Sequence, residues 1–254
     1  MRARVGSLIG LFAIWWFLSL GASEFGLPSP IAVSESFVEL MASGRLASAL
    51  GVTLSSFAVG ALLAVLLGVP LGILMGVRPW LGRAVDPYLT ALYVLPFSAV
   101  VPLLVLWFGI DEQVRIVFIF LFTIPQVAIV SYQGARSTPA TLVEVAQTYM
   151  ASERQVFWKV LIPYEVPFIF TALRLGVGLA IQGMVVSELL IASLTGIGYL
   201  LKIAGATLDL ATTLAIIIFV MLLGITAVAI LQRIENSVAP WRHVVTIDGG
   251  EAHA

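Results

Sequence analysis

Long apolar runs alternate with short polar segments along the whole chain. The hydrocarbon core of a bilayer is about 30 Å thick, and roughly 20 helical residues cross it. Six runs are long and apolar enough to do so. The pattern therefore predicts an all-α integral membrane protein with about six spans, at Val5–Ala22, Gly51–Val77, Pro87–Gly109, Val114–Tyr132, Phe168–Ile191 and Ala211–Leu231.

Two further segments have helical character but do not suit a membrane span. Residues 27–45 indicate an amphipathic helix that starts after Pro30 and lies at the outer membrane interface. Residues 192–210 are too short and too polar to cross the bilayer. We expect a re-entrant or interfacial helix there, hinged at Gly196 and Gly198.

The composition agrees with a membrane protein and excludes several kinds of site. Of 254 residues, 60% are hydrophobic and only 11% are charged, whereas a soluble domain has about a quarter charged residues. The net charge of -1 provides no basic surface for nucleic acid. The chain has no Cys, and its two histidines, His243 and His253, lie in the polar C-terminal tail. We therefore expect no metal site and no catalytic residue within the membrane.

The basic residues predict the orientation of the spans. Cytoplasmic loops of membrane proteins carry an excess of Lys and Arg. If the N-terminus is cytoplasmic, ten basic residues lie inside and three outside, and six spans return the C-terminus to the cytoplasm. Both termini and residues 133–167 are then cytoplasmic. The inner set is Arg2, Arg4, Arg78, Arg83, Arg136, Arg154, Lys159, Arg174, Arg233 and Arg242, and the outer set is Arg45, Arg115 and Lys202.

The loop at residues 133–167 carries the signals of two short helices. Thr138 is expected to cap the first helix, with Pro139 at the first helical position. Taken alone, these signals suit a solvated connector as well as a binding surface.

The second helix of the loop has its own start and stop signals. Ser152 and Gln155 have the spacing of a capping box. Pro163 disfavours helical geometry in the residue before it, so this helix is expected to end by Ile162.

The loop and several flanking stretches carry a family resemblance. The loop contains EVAQTYMAS and FWKVLIP, followed by Pro167 and ALRLG. Flanking stretches are LPSP, GVPLGILMG, DPYLTALYVLPFSAVVPLLVLWFGI and TGIGYLL. Over most of residues 28–242 the chain resembles the permease subunits of binding-protein-dependent ABC importers, in their nitrate, sulfonate and taurine branch.

The resemblance implies the type I ABC importer permease fold and a coupling site. Three parts are expected: the first span with an outer interfacial segment (1–45), the permease core (46–236) and a cytoplasmic tail (237–254). In these permeases, a short helix of the EAA loop docks on a separate ATPase subunit. At that coupling contact the resemblance places Glu144, Ala146, Ala151, Ser152 and Phe157.

The resemblance also implies partners in a bacterial inner membrane. They are ABC ATPase subunits that bind ATP and Mg, a periplasmic or other extracytoplasmic substrate-binding protein, and surrounding lipid. The chain has no G-x-x-x-x-G-K-[ST] loop, and its two lysines lie in WKV and LKI. We therefore expect no cofactor and no enzymatic activity in this chain. Because one copy supplies one coupling loop and two ATPases are needed, a two-fold homodimer is expected. This dimer is expected to transport the solute by alternating access.

One position departs from the family pattern. Gly is usual at the turn of the EAA loop, where this chain has Met150. A left-handed backbone costs a residue other than Gly about 1–2 kcal/mol. Either the turn is built differently here, or contact with the partner offsets the strain.

Polar residues within the predicted spans are candidates for a translocation path. A carboxylate near the centre of the bilayer costs roughly 2.5–3.5 kcal/mol on insertion scales, and Glu188 is the only acid well inside a predicted span. An interfacial carboxylate near the end of the fifth span is an equally good interpretation of Glu188. Ser98, Gln126 and Gln182 are the other path candidates.

Two other functional classes stay open from the residues alone. A secondary transporter needs coupling-ion sites at broken helices, commonly in paired repeats, and neither is evident. An intramembrane hydrolase needs a Ser or Asp nucleophile with a base. This class fits poorly, because both histidines lie in the C-terminal tail. The expected solute is a sulfonate, nitrate, a taurine-like compound or another small organic molecule.

Overall fold

Every element of the described chain is helical, which confirms the predicted all-α fold. A computed structural model describes residues 2–21, 26–191 and 194–238. The predicted tail lies outside the described residues from residue 239 on, and this part includes Arg242 of the predicted inner set. Ala22, the last residue of the first predicted span, lies outside them as well. The helices are α1 (Arg2–Gly21), α2 (Pro30–Ala42), α3 (Arg45–Val77), α4 (Pro79–Val94), α5 (Phe97–Phe108), α6 (Glu112–Arg136), α7 (Ala140–Thr148), α8 (Glu153–Val156), a π-helical segment (Phe157–Leu161), α9 (Ile162–Leu190), α10 (Ile197–Ala206) and α11 (Leu210–Val238).

Four helical segments of the described chain are long and apolar enough to cross a membrane. They are α3, α6, the continuous run Glu153–Leu190 and α11, and the pair α4 and α5 makes a fifth if it counts as one broken span. The predicted first span forms α1, whose apolar part Ile9–Gly21 is shorter than the other spans. The chain is therefore a multi-pass membrane protein.

The third predicted span is not one helix. α4 ends at Val94 and α5 begins at Phe97, so the predicted span Pro87–Gly109 is divided between two helices that are bent by 99° relative to each other. Leu95 has φ -60° and ψ 127°, an extended conformation. The ring of Pro96 disfavours helical geometry in the residue before it, which accounts for the break.

The two short predicted helices are present. α2 begins at Pro30, and the hydroxyl of Ser29 caps it by accepting the Ala32 N–H at 3.2 Å. α10 follows Gly196, whose φ of +101° belongs to the region that favours glycine. Gly198 lies inside α10, so the prediction of a second hinge at this residue is wrong.

Compact packing divides the chain into two units, which are described separately. Unit 1 consists of Met1–Gly60, Pro96–Ile119 and Ala180–Gly224. Its main apolar cluster joins α2, α3, α10 and α11. The buried members of that cluster are Leu40, Leu46, Ala49, Ile197, Leu200 and Ile216.

Unit 2 consists of Ala61–Leu95, Phe120–Leu179 and Ile225–Ala254. Within it, α3 and α6 approach closely along a row of glycines, Gly68, Gly72 and Gly76. A Cβ atom added at Gly68 would lie 3.0 Å from the side chain of Val127, and one at Gly72 or Gly76 would overlap α6. Small residues at four-residue spacing allow helix backbones to pack closely in a membrane. The predicted cytoplasmic loop, residues 133–167, also belongs to this unit and follows α6.

Candidate functional site

The predicted coupling loop folds as α7, α8 and the π-helical segment of unit 2. α7 begins after Pro139, which has an extended conformation and accepts the Leu142 N–H at 3.1 Å. No side chain caps this helix, and the buried hydroxyl of Thr138 has no hydrogen-bond partner. The prediction that Thr138 caps the first helix is therefore wrong. Pro139 takes the cap position itself, so the helix begins at Ala140, one residue later than expected.

The turn after α7 is closed by two backbone hydrogen bonds. The Met150 N–H donates to the carbonyl of Gln147 at 2.8 Å, and the Ala151 N–H donates to the carbonyl of Ala146 at 3.0 Å. This is the Schellman pattern that ends many helices with a left-handed residue. Met150 is that residue, with φ +59°. The loop thus keeps left-handed geometry although Met replaces the usual Gly.

The predicted capping box at Ser152 is confirmed. The Gln155 N–H donates to the Ser152 hydroxyl at 3.4 Å, and the Ser152 N–H donates to the Gln155 side-chain oxygen at 2.8 Å. These reciprocal bonds satisfy N–H groups that have no partner within the helix. The box fixes the point at which the chain leaves the turn and starts α8.

The second helix of the loop does not end at Ile162, so that prediction is wrong. The helical run continues from Glu153 to Leu190. The Ile162 N–H donates to the carbonyl of Phe157, five residues earlier, which is π-helical geometry. Pro163 has no N–H, and in an α-helix its ring clashes with the carbonyl four residues earlier. The wider π turn gives this ring room, so the helix passes through Pro163.

An apolar face of α7 is exposed at the surface of unit 2. Leu142 is 44% exposed, Val145 is 56% exposed and Tyr149 is 84% exposed. The adjacent Met150 is 93% exposed. The sequence analysis did not single out this face. Its signal is the spacing of positions 142, 145 and 149, which places their side chains on one side of a helix.

The five predicted coupling residues lie in α7, in the turn after it or at the start of the π-helical segment. Glu144 and Ser152 are exposed, whereas Ala146, Ala151 and Phe157 are half-buried. Ala151 and Phe157 line a cavity of about 570 Å³. The other walls of this cavity come from the end of α3, from α7 and from the helical run after the turn, and include Leu74, Val77, Gln147 and Leu161.

Glu188 lies in a hydrogen-bonded cluster of unit 1. It is 1% exposed, its Oε1 accepts the Thr53 hydroxyl at 2.8 Å, and its Oε2 accepts the Gly198 N–H at 2.7 Å. The Thr53 oxygen also accepts the Ile197 N–H at 2.9 Å. Arg115, which is buried as well, attracts the Glu188 carboxylate electrostatically.

Two glycines make room for this carboxylate. A Cβ atom at Gly196 would overlap the carboxylate of Glu188, and one at Gly198 would lie 2.5 Å from the Glu188 Cβ. Real Cβ atoms do not approach so closely. The motif TGIGYLL therefore has a structural explanation, because both of its glycines face Glu188.

The other predicted path residues have different surroundings. Ser98 and Gln182 are exposed in unit 1, and Gln126 is half-buried in unit 2. The carboxylate of Glu188 accepts hydrogen bonds from two protein donors.

Unit 2 contains two buried carboxylates that the sequence analysis did not single out. Glu235 accepts Arg174 Nη2 at 2.6 Å, which joins α11 to α9. Glu165 is fully buried next to Gly134, and neither of its carboxylate oxygens has a hydrogen-bond partner. Within residues 2–21, 26–191 and 194–238, no group of three His, Cys, Asp or Glu side chains could hold a metal ion.

Comparison with known proteins decides the family. Residues 68–240 match the family described as binding-protein-dependent transport system inner membrane component. The chain belongs to this family. It is therefore a permease subunit of an ABC transporter, as predicted from the resemblance. The match includes the predicted coupling loop and the Glu188 cluster except Thr53.

Individual members of this family agree with the assignment. The putative aliphatic sulfonates transport permease protein of Bacillus subtilis strain 168 is 34% identical over 250 residues, 95% of this chain and 90% of that protein. The taurine transport system permease protein of Escherichia coli strain K12 is 31% identical over 244 residues, 93% of this chain and 88% of that protein.

The chain also resembles a solved transporter structure in its fold. A chain of the inward-facing MetNI methionine ABC transporter superposes with a TM-score of 0.67 at 21% identity. The match covers 76% of this chain and 96% of that chain. It confirms the predicted type I permease fold.

Proposed function

We propose that this permease subunit belongs to an ATP-driven importer of a small sulfonate-like solute and couples to a separate ATPase through α7 and the turn after it. The observation that carries this proposal is the exposed apolar face of Leu142, Val145, Tyr149 and Met150. Exposed aromatic and Met side chains are enriched at the centres of protein interfaces. Glu144 lies on the same short helix and adds charge to the contact.

Two features of the loop support docking as a rigid body. The capping box at Ser152 and the two bonds around Met150 hold the turn in one conformation. The helical run from Glu153 to Leu190 then connects the turn to a membrane span without a flexible joint. A displacement of the loop by an ATPase would therefore be transmitted to α9.

The remaining parts of the assembly follow from this coupling. Two ATPase subunits need two coupling loops, so the permease acts as a two-fold homodimer. An extracytoplasmic binding protein delivers the solute to the outer side of a bacterial inner membrane. ATP binding and hydrolysis then drive alternating access. Among the path candidates, Ser98 and Gln182 offer exposed polar groups, and Gln126 offers a half-buried one.

The names of the two relatives support the solute class, because both are permeases for organic sulfonates. The test uses proteoliposomes that contain the permease and its co-expressed ATPase, with ATP inside and binding protein outside. We expect uptake of labelled taurine or an alkanesulfonate that requires both ATP and binding protein. Uptake driven by an ion gradient without ATP would instead identify a secondary transporter. Failure of the ATPase to co-purify would contradict the coupling proposal.

A further inference from the structure

α10 is a short helix whose position depends on the rest of unit 1. It has ten residues, and an isolated helix shorter than about 12–15 residues is marginal in water. Its buried side chains Ile197 and Leu200 pack into the apolar cluster with α2, α3 and α11. At its start, α10 also contacts the hydrogen-bonded cluster of Glu188 and Thr53.

Free volume adjoins α10. A cavity of about 320 Å³ is lined by Val52 of α3 together with Tyr199 and Ile203 of α10. A second cavity, of about 220 Å³, is lined by residues of α2, α10 and the start of α11, among them Glu39 and Thr207. Both cavities are open to the surface, so they are grooves beside α10 and not voids in a core. Apolar packing alone therefore does not enclose α10 on these sides and leaves it room to shift.

The Glu188 cluster removes that freedom at the first turn of α10. The N–H groups at the start of a helix have no partner within it, and here Gly198 and Ile197 donate theirs to Glu188 and Thr53. A carboxylate suits this position because it accepts from two donors at once. Loss of either acceptor would leave a buried N–H group without a partner, which is unfavourable.

We infer that Glu188 and Thr53 are positioning residues for transport. They bind the first turn of α10 to α9 and α3, so that α10 moves with these helices as one body when the permease changes conformation. This role differs from contact with the solute, because Glu188 acts through hydrogen bonds to α10. The effect on transport rests on the proposed function. The effect on the position of α10 rests only on the contacts within unit 1.

The first test compares transport rates of permease variants in the complete complex with ATPase and binding protein. Glu188→Gln and Thr53→Val each remove part of the cluster, whereas Thr53→Ser keeps the hydroxyl and is the matched control. We expect Glu188→Gln and Thr53→Val to lower the maximal uptake rate at least about tenfold, the size expected when a buried hydrogen bond is lost. KM and basal ATP hydrolysis should stay unchanged. The double variant should be no slower than the slower single variant, because both changes break one cluster.

The second test measures the position of α10 directly. The chain has no Cys, so Lys202→Cys on the exposed face of α10 can carry a single nitroxide label. We expect the electron paramagnetic resonance spectrum of this label to show greater mobility in Glu188→Gln and Thr53→Val, but not in Thr53→Ser. A label at Glu35→Cys, exposed on α2, should be unaffected.

Three results would overturn the inference. The first is normal transport by Thr53→Val with impaired transport by Glu188→Gln, which would mean that Glu188 acts on the solute. The second is an unchanged α10 label in both variants. The third is additive loss in the double variant. If Glu188→Gln does not assemble, Thr53→Val carries both tests. If the native complex does not transport, the proposed function fails, while the label still decides whether the cluster positions α10.

Discussion

The Ala151 N–H donates to the carbonyl of Ala146 at 3.0 Å, across a turn whose central residue, Met150, has left-handed backbone geometry. The side chain of Met150 packs little against the rest of the chain, because the residue is 93% exposed. Gly would adopt this conformation without steric cost. The presence of a large apolar residue here is therefore best explained by a contact outside the chain.

Met150→Gly should stabilise the turn and weaken ATPase binding. The left-handed conformation costs about 1–2 kcal/mol for a residue with a Cβ, so hydrogen exchange at the Ala151 amide should slow. Met150→Ala keeps the Cβ and removes only the rest of the side chain, which makes it the matched control for strain. We expect both variants to bind the ATPase more weakly in a detergent pull-down. Binding by Met150→Gly at the native level would exclude Met150 from the coupling contact.

Charge reversal at Glu144 should disrupt coupling without disrupting the membrane domain. Glu144 is exposed on α7, so Glu144→Arg should insert and dimerise normally. Like-charge juxtaposition at an interface costs several kcal/mol, which corresponds to a loss of ATPase affinity on the order of a hundredfold. Stimulation of hydrolysis by binding protein and uptake should fall together.

The control for this prediction is the same charge reversal at Glu35, on α2 of unit 1. Glu35→Arg should retain ATPase binding and stimulated hydrolysis. If Glu144→Arg also retains both in nanodiscs, Glu144 has no part in the coupling contact.

Single-cysteine labelling should confirm the predicted orientation. Ala140 and Lys202 are both exposed, and the chain contains no other Cys that could react. The positive-inside distribution places Ala140 in the cytoplasm and Lys202 outside. In intact cells, an impermeant maleimide should label Lys202→Cys and should label Ala140→Cys only after the membrane is opened. Labelling of Ala140→Cys from outside would contradict the orientation.

Asp209 should make the start of α11 sensitive to acid. The Thr212 N–H donates to the Asp209 carboxylate at 3.0 Å, and this bond holds the pKa of Asp209 below its ordinary value of 3.8. Because the folded pKa is lower than the unfolded one, the ionised carboxylate stabilises the helix start. This stabilisation is complete above the unfolded pKa and is lost as pH falls through the folded pKa.

Hydrogen exchange in the first turn of α11 measures this effect. Native exchange protection should fall below about pH 4, whereas Asp209→Asn, which keeps an acceptor oxygen, should show no such step. Asp209→Ala should lose protection at neutral pH, since a missing cap costs about 1 kcal/mol. Equal pH profiles for the native chain and Asp209→Asn would contradict the assignment.

The sequence predicts correctly those features whose partners are close together in the chain. The capping box links Ser152 to Gln155, three residues apart. Here the residue types at this spacing are sufficient, because the hydrogen bonds depend only on local geometry. The membrane spans are predictable for a similar reason, since each depends on the length of one apolar run.

The structure departs from the sequence pattern at three places where the backbone has more than one way to accommodate a residue. Thr138 offers a good capping side chain, but Pro139 takes the cap position. Pro163 does not stop the helix because a π turn precedes it. Pro96 breaks the third span although the apolar pattern continues across it. Composition does not distinguish a proline that a helix tolerates from one that ends it.

The Glu188 cluster has no local signal at all. Glu188 and Thr53 are 135 positions apart, so only the packed fold brings them together. From sequence, the unusual feature is an acid within an apolar run, and a translocation path is one interpretation of it. The structure adds that two glycines, Gly196 and Gly198, leave space for this carboxylate.

The π-helical segment Phe157–Leu161 sets the angular phase between the coupling loop and α9. A π turn contains one residue more than the α-helical turn it replaces, and each residue of an α-helix corresponds to a rotation of about 100°. Deleting one residue from this segment would let the run become regular α-helix, while turning everything N-terminal to it by about that angle around the helix axis. The face of α7 would then point away from its present direction, although every residue on it would be unchanged. The extra residue thus acts as an angular spacer that determines which way the loop faces.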